Sequence, residues 1–62
     1  MNYLIYLKHP AREASYLWGD RYTTEKAAAT RFTDWCTAYQ VAESVRGFVH
    51  LDEVVCVEAE TD

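Results

Sequence analysis

No apolar run in this chain approaches the roughly 20 residues that a membrane-spanning helix requires. Its opening, MNYLIYLKHP, lacks the basic segment and small-residue cleavage site of a signal peptide. A membrane span is excluded and a cytoplasmic location is expected. Only two cysteines are present, Cys36 and Cys56, and their separation of 20 positions fits neither a zinc-ligand pair nor a redox motif. In a reducing compartment both are expected to stay reduced, as small buried hydrophobes. Repeats, low-complexity tracts and linkers are also missing, so residues 1–62 should form one domain.

The residues that carry chemistry are as sparse. A Cys-His nucleophile needs a base beside the thiol, a group orienting the imidazole and an oxyanion site. His9 and His50 stand at no spacing that announces such a set. Asp52 and Glu53 are adjacent and would point to opposite faces of a strand, while Glu58 and Glu60 share a face with no His or Cys near in sequence. No catalytic residue, metal site or cofactor is expected, and the chain reads as a non-enzyme.

One further absence is local. All six Lys and Arg precede residue 47, where five acids oppose them; the final sixteen residues hold Asp52, Glu53, Glu58, Glu60 and Asp62 and no base. The net charge of −4 is therefore a property of one end of the chain.

What the sequence does have is large apolar side chains. Half of it is hydrophobic and 15% is aromatic, which offsets the entropy of ordering a chain this short. NYLIYLKH (2–9) reads as a central strand, with Tyr3, Ile5 and Leu7 on one face and Leu4 and Tyr6 on the other, ended by His9-Pro10. PAREA reads as a connection and SYLWGDRY (15–22) as a second strand that turns at Gly19-Asp20, or as two short irregular pieces. Residues 23–45 predict one helix, or two with a break near Tyr39-Gln40, because Ala28, Phe32, Trp35, Tyr39 and Ala42 recur at helical spacing, which places Phe32, Trp35 and Tyr39 on one face against the sheet. Thr23 or Thr24 would cap its start and Gly47 would stop it. FVHLDEVVCVEAE (48–60) reads as a short extended piece, an irregularity at Asp52-Glu53, and a strand from Val54 to Glu60.

These elements assemble as an α/β (α+β) domain: a small antiparallel sheet with one helical layer packed on one face, in the order β-β-α-β or β-α-β-β. The second sheet face would stay open, lined or bordered by Leu4, Tyr6, Tyr16 and Trp18, and exposed apolar patches of that kind mark a partner or dimer interface. Aromatics on an open sheet can also stack single-stranded nucleic acid, but the bases are spread singly and an acidic strand closes the sheet. Direct nucleic-acid binding is not expected. The acids themselves can imitate nucleic acid, because same-face residues of a strand lie about 6.6 Å apart, a spacing similar to that of consecutive phosphates. Their other reading is a solvated edge that deters strand pairing.

The strand start MNYLIYLK, the helical segment EKAAATRFTDWCTAY and the acid-fringed end VVCVEAE resemble, in size, charge and architecture, the small phage-encoded anti-CRISPR proteins. The resemblance implies a viral inhibitor in the host cytosol that binds a protein partner, a type I CRISPR effector subunit, without enzymatic activity, at a DNA-binding and PAM-recognising surface. Asp52, Glu53, Glu58 and Glu60, with Tyr6 and Trp18, are the residues expected to meet that partner, as a DNA mimic. The alternative is a small homodimeric accessory or adaptor protein that uses the open sheet face, its acids serving solubility.

Overall fold

The computed structural model describes residues 1–49 and 52–60. Strands β1 (Asn2–His9), β2 (Arg12–Trp18) and β3 (Arg21–Thr23) come first, then a 3-10 turn at Lys26–Ala28, helix α1 (Trp35–Arg46) and strand β4 (Val54–Glu60). All strand pairs are antiparallel, in the order β3-β2-β1-β4. This is the α+β architecture expected, with β1 inside the sheet and one helix against it. Among the described residues no helix is long and apolar enough to cross a membrane.

The tight turns follow from local chemistry. Pro10 and Ala11 alone separate β1 from β2, so the expected PAREA connection shrinks to a turn, closed where the Ala11 N–H donates to His9 Nδ1 at 3.0 Å. Gly19-Asp20 joins β2 to β3 as predicted. Gly19 has φ of 62°, the positive value that a two-residue hairpin loop needs at its first position.

The helix differs from its prediction in both start and register. Only Trp35–Arg46 is α-helical, a single helix capped by Asp34, whose Oδ2 accepts the Thr37 N–H at 3.0 Å. The alanine run before it is diverted by partners elsewhere in the chain. Thr30 N–H donates to the Leu17 carbonyl of β2 at 2.9 Å, and Tyr3 and Phe32 exchange both backbone hydrogen bonds at 2.8 Å in one isolated bridge, so this segment is tied to the sheet instead of coiling. Long-range pairing thus overrides local propensity.

The buried stripe of α1 is Ala38, Ala42 and Val45, spaced by four and three. Trp35 and Tyr39, expected against the sheet, are 49% and 40% exposed and stack on each other, ring centroids 4.9 Å apart. Small residues occupy the seam with the sheet because they let the two backbones approach closely, while the rings lie on a flank. The main core joins Ile5, Leu7, Leu17, Ala42, Val45 and Val55, with Phe32, Val41, Val49 and Val57 packed around it. That places Ile5, Leu7, Val55 and Val57 on the helix side, as their alternation predicts.

The opposite face, expected to stay open, is closed at Leu4 and remains open around Trp18. Leu4 is fully buried although it points away from α1. Its cross-strand neighbour Glu58 is held by Lys26 at 2.8 Å, and Arg31 holds Glu60 one step further along β4. Residues 24–31 therefore cross this face and close over Leu4, with Ala29 buried at the crossing.

Cys36 also departs from expectation. It is exposed in the first turn of α1, and Cys56 is half-buried beside Tyr6. A thiol reagent should therefore label Cys36 rapidly and Cys56 slowly in the native protein, read by mass spectrometry at short times. Equal slow rates would contradict this placement of α1.

Candidate functional site: the β4 edge and its flank

β4 lies at the edge of the sheet, and the direction of its backbone groups can be read from β1. Tyr3 spends its N–H and C=O on Phe32, which lies on the β2 side of β1. Successive residues of a strand alternate in direction, so Leu4, Tyr6 and Lys8 turn theirs toward β4, where they meet Glu58, Cys56 and Val54. It follows that Val55, Val57 and Ala59 aim their N–H and C=O groups outward. Arg46 confirms the direction, since its guanidinium donates to the Val55 carbonyl at 3.4 Å.

Above this edge runs one flank of α1. Arg46 Cζ lies 6.0 Å from the centre of the Tyr39 ring, and Tyr39 stacks on Trp35 with the planes 18° apart. Since Arg46 reaches the outer carbonyl of β4, the row Trp35, Tyr39, Arg46 stands on the side of α1 nearest that edge. Glu43 fixes the row from outside: its carboxyl is held below the usual range first by a hydrogen bond from the Tyr39 hydroxyl and then by Arg46. Sequence reasoning missed this flank because it assigned Trp35 and Tyr39 to the core. The signal that could have found it is Asp34, a strong N-cap that sets the helix start.

The acids singled out by sequence are divided between two places, each with a partner: Asp52 and Glu53 at the β1–β2 turn end of the sheet, Glu58 and Glu60 on the face of β4 away from α1. Asp52 meets His9 Nε2 at 2.8 Å; since His9 Nδ1 accepts from Ala11, Nε2 carries the donated hydrogen in the neutral ring. Glu53 meets Arg12 at 3.1 Å and Glu58 meets Lys26 at 2.8 Å. Glu60 takes a two-pronged contact from Arg31 at 2.9 and 3.1 Å. The hydrogen bond from Arg31 holds the Glu60 carboxyl below the ordinary range, and the hydrogen bond to Glu58 raises the Lys26 amine. A run of like charge in sequence is thus, in space, three ion pairs and one carboxylate hydrogen-bonded by a histidine. Side-chain exposure sorts the four: Asp52 at 60% and Glu58 at 36% offer carboxylate to a partner, whereas Glu60 at 27% and Glu53 at 14% are largely taken up in holding the fold. Asp62 and His50 lie outside the described residues.

Of the two aromatics predicted for the site, Tyr6 shares the sheet face of Glu58, while Trp18 stands apart from the acids. Tyr6 is half-buried in mid-sheet, 5.9 Å from the Tyr16 ring, and a hydrogen bond with the Cys56 thiol, followed by burial, raises its hydroxyl above the ordinary tyrosine range. Trp18 is 51% exposed at the β2–β3 turn, on the far side from β4. On the helix side of that same end, α1 does not reach over β3. A groove of about 300 Å³ opens there, lined by Leu17, Tyr22, Val41, Val45 and Phe48, with Phe48 90% exposed. Among the described residues no group of three or more His, Cys, Asp or Glu side chains is placed to hold a metal ion.

The fold defines a small two-layer α+β domain whose most elaborated surface is a strand edge beneath a helix flank. Comparison of the chain with protein-family descriptions, with curated proteins and with solved structures finds no match.

Proposed function

We propose that this chain is a non-enzymatic inhibitor that binds a basic, nucleic-acid-binding surface of a CRISPR effector or a similar complex, and so takes the place of nucleic acid there. It acts in the cytosol of the host cell. The observation that carries this reading is a pair of exposed carboxylates held in position: Glu58 of β4, bonded by Lys26 on the sheet face away from α1, and Asp52, bonded by His9 just before β4 begins, with the Trp35, Tyr39 and Arg46 flank across the strand edge from Glu58. Trp, Tyr and Arg are the side chains most often dominant in protein interfaces. Pre-paired carboxylates exert a weak field at long range, so recognition rests on close contact, with a partner's Arg or Lys adding to oxygens that still have lone pairs to share.

Expression of the chain in cells whose type I CRISPR system targets a phage should restore plating of that phage, and Glu58→Lys should abolish the effect. No restoration in any type I host would remove the reading.

A second reading is favoured by the groove between α1 and β3. Phe48 and Tyr22 are apolar surface beside it, and a homodimeric adaptor would bury them. This moves the proposed dimer contact from the face around Tyr6, which residues 24–31 partly cover, to the helix side of the sheet. Light scattering separates the two: a dimer that Phe48→Ser dissociates favours the adaptor.

A further inference from the structure

We propose that the free edge of β4 receives an extended peptide segment of the partner as a fifth strand, and that the segment alternates basic with small apolar residues. This deepens the reading of β4 as the contact surface and rests on it.

The backbone supplies the first requirement. Val57 and Ala59 aim their N–H and C=O groups outward, and no hydrogen bond to these four groups occurs among the described residues. Four such groups form two of the paired hydrogen-bond units of an antiparallel ladder. Arg46 occupies the Val55 carbonyl and so ends the docking length on that side.

The side chains supply the alternation. An added strand continues the pleat, so every second residue falls on the face of Cys56, Glu58 and Glu60, and the others fall on the face of Val57 and Ala59 beneath the Trp35 and Tyr39 flank. Lys or Arg opposite Glu58 adds a second cation to the carboxylate beside Lys26, and a residue the size of Val or Ala fits below the rings. A second copy of this chain is a poorer occupant. Pairing outward groups about a two-fold at Val57 would set Glu58 beside the copy's Cys56 and Glu60 beside its Val54, so no cation meets either carboxylate, and both chains carry net charge −4.

The probe is an acetylated and amidated peptide of alternating Lys and Val, titrated into the full chain. Amide exchange should slow at Val57 and Ala59 and stay unchanged at Glu58, whose N–H already bonds β1. Ala59→Pro removes one outward donor at a position where an edge strand tolerates proline, and should weaken the peptide about tenfold, equivalent to ~1.4 kcal/mol. Glu58→Lys should weaken it at least as much, and a Glu/Val peptide should not bind. If Ala59→Pro fails to fold, exchange at Val57 and Ala59 in the unaltered chain decides. Binding that Glu58→Lys abolishes while Val57 and Ala59 remain unprotected would overturn strand addition and leave the acidic contact surface standing. No binding at all, or a dimer that pairs β4 with β4, would overturn the proposal as well, and the phage-plating result would then show whether the broader function survives.

Discussion

Leu4→Ala should leave the domain unfolded or nearly so at room temperature. Leu4 is fully buried on the sheet face away from α1, and truncating a buried leucine costs about 2–5 kcal/mol. A domain this small holds about 3–5 kcal/mol in total. The loss should be as large as that of Ile5→Ala on the helix side, because residues 24–31 close over Leu4 as a second, smaller core. Leu4→Met keeps the volume and should cost less than about 1.5 kcal/mol. Urea titrations followed by circular dichroism measure all three; a Leu4→Ala variant with a midpoint near the unaltered one would mean that this face is open to water.

Arg31→Leu should be the most damaging change to a charged side chain. The guanidinium donates to the carbonyls of Lys26 and Ala29 at 2.9 and 2.6 Å and to both oxygens of Glu60. It pins the crossing segment to β4. Hydrogen bonds from a charged group to backbone acceptors contribute about 1.5–3 kcal/mol, and their loss would release the cover over Leu4. The same contact gives a pH dependence. The Glu60 carboxyl titrates lower in the folded chain than in the unfolded one, so its contribution is fully present above the unfolded value and is lost as acid brings the pH down through the folded value. Thermal melts of the unaltered protein should therefore fall in the acidic range below the usual carboxylate pKa, and Arg31→Leu should flatten that fall. An unchanged slope would place the acid sensitivity elsewhere.

Much of the sheet was legible in the chain. β1 alternates two apolar faces and ends before a proline, the β4 boundaries coincide with the run Val54–Glu60, and Gly19-Asp20 marks its turn. The helix was misread because two stripes share helical spacing. Phe32, Trp35, Tyr39 and Ala42 form the larger apolar series, yet Ala38, Ala42 and Val45 face the sheet. The choice is made by the pairing of Phe32 with Tyr3 and by the close approach of α1, and neither is a local property. The site was half legible for a similar reason. The carboxylates of β4 stand out in sequence, but Arg31 meets Glu60 across 29 positions, and only folding turns the acidic tail into ion pairs. Glu58→Lys with Glu60→Lys, harmless to folding if these acids were merely solvated, should instead destabilise the domain through Glu60; Glu58→Lys alone is the cleaner test of binding.

The most direct test of the proposed function is duplex DNA binding by the type I effector complex that the plating assay selects, titrated with the purified chain at low and high salt. DNA should be released as the chain is added, at least as completely at high salt because DNA affinity falls more steeply with salt than close contact to pre-paired carboxylates does, and Glu58→Lys should release little. A stable ternary complex of effector, DNA and chain would show that β4 does not occupy the nucleic-acid site.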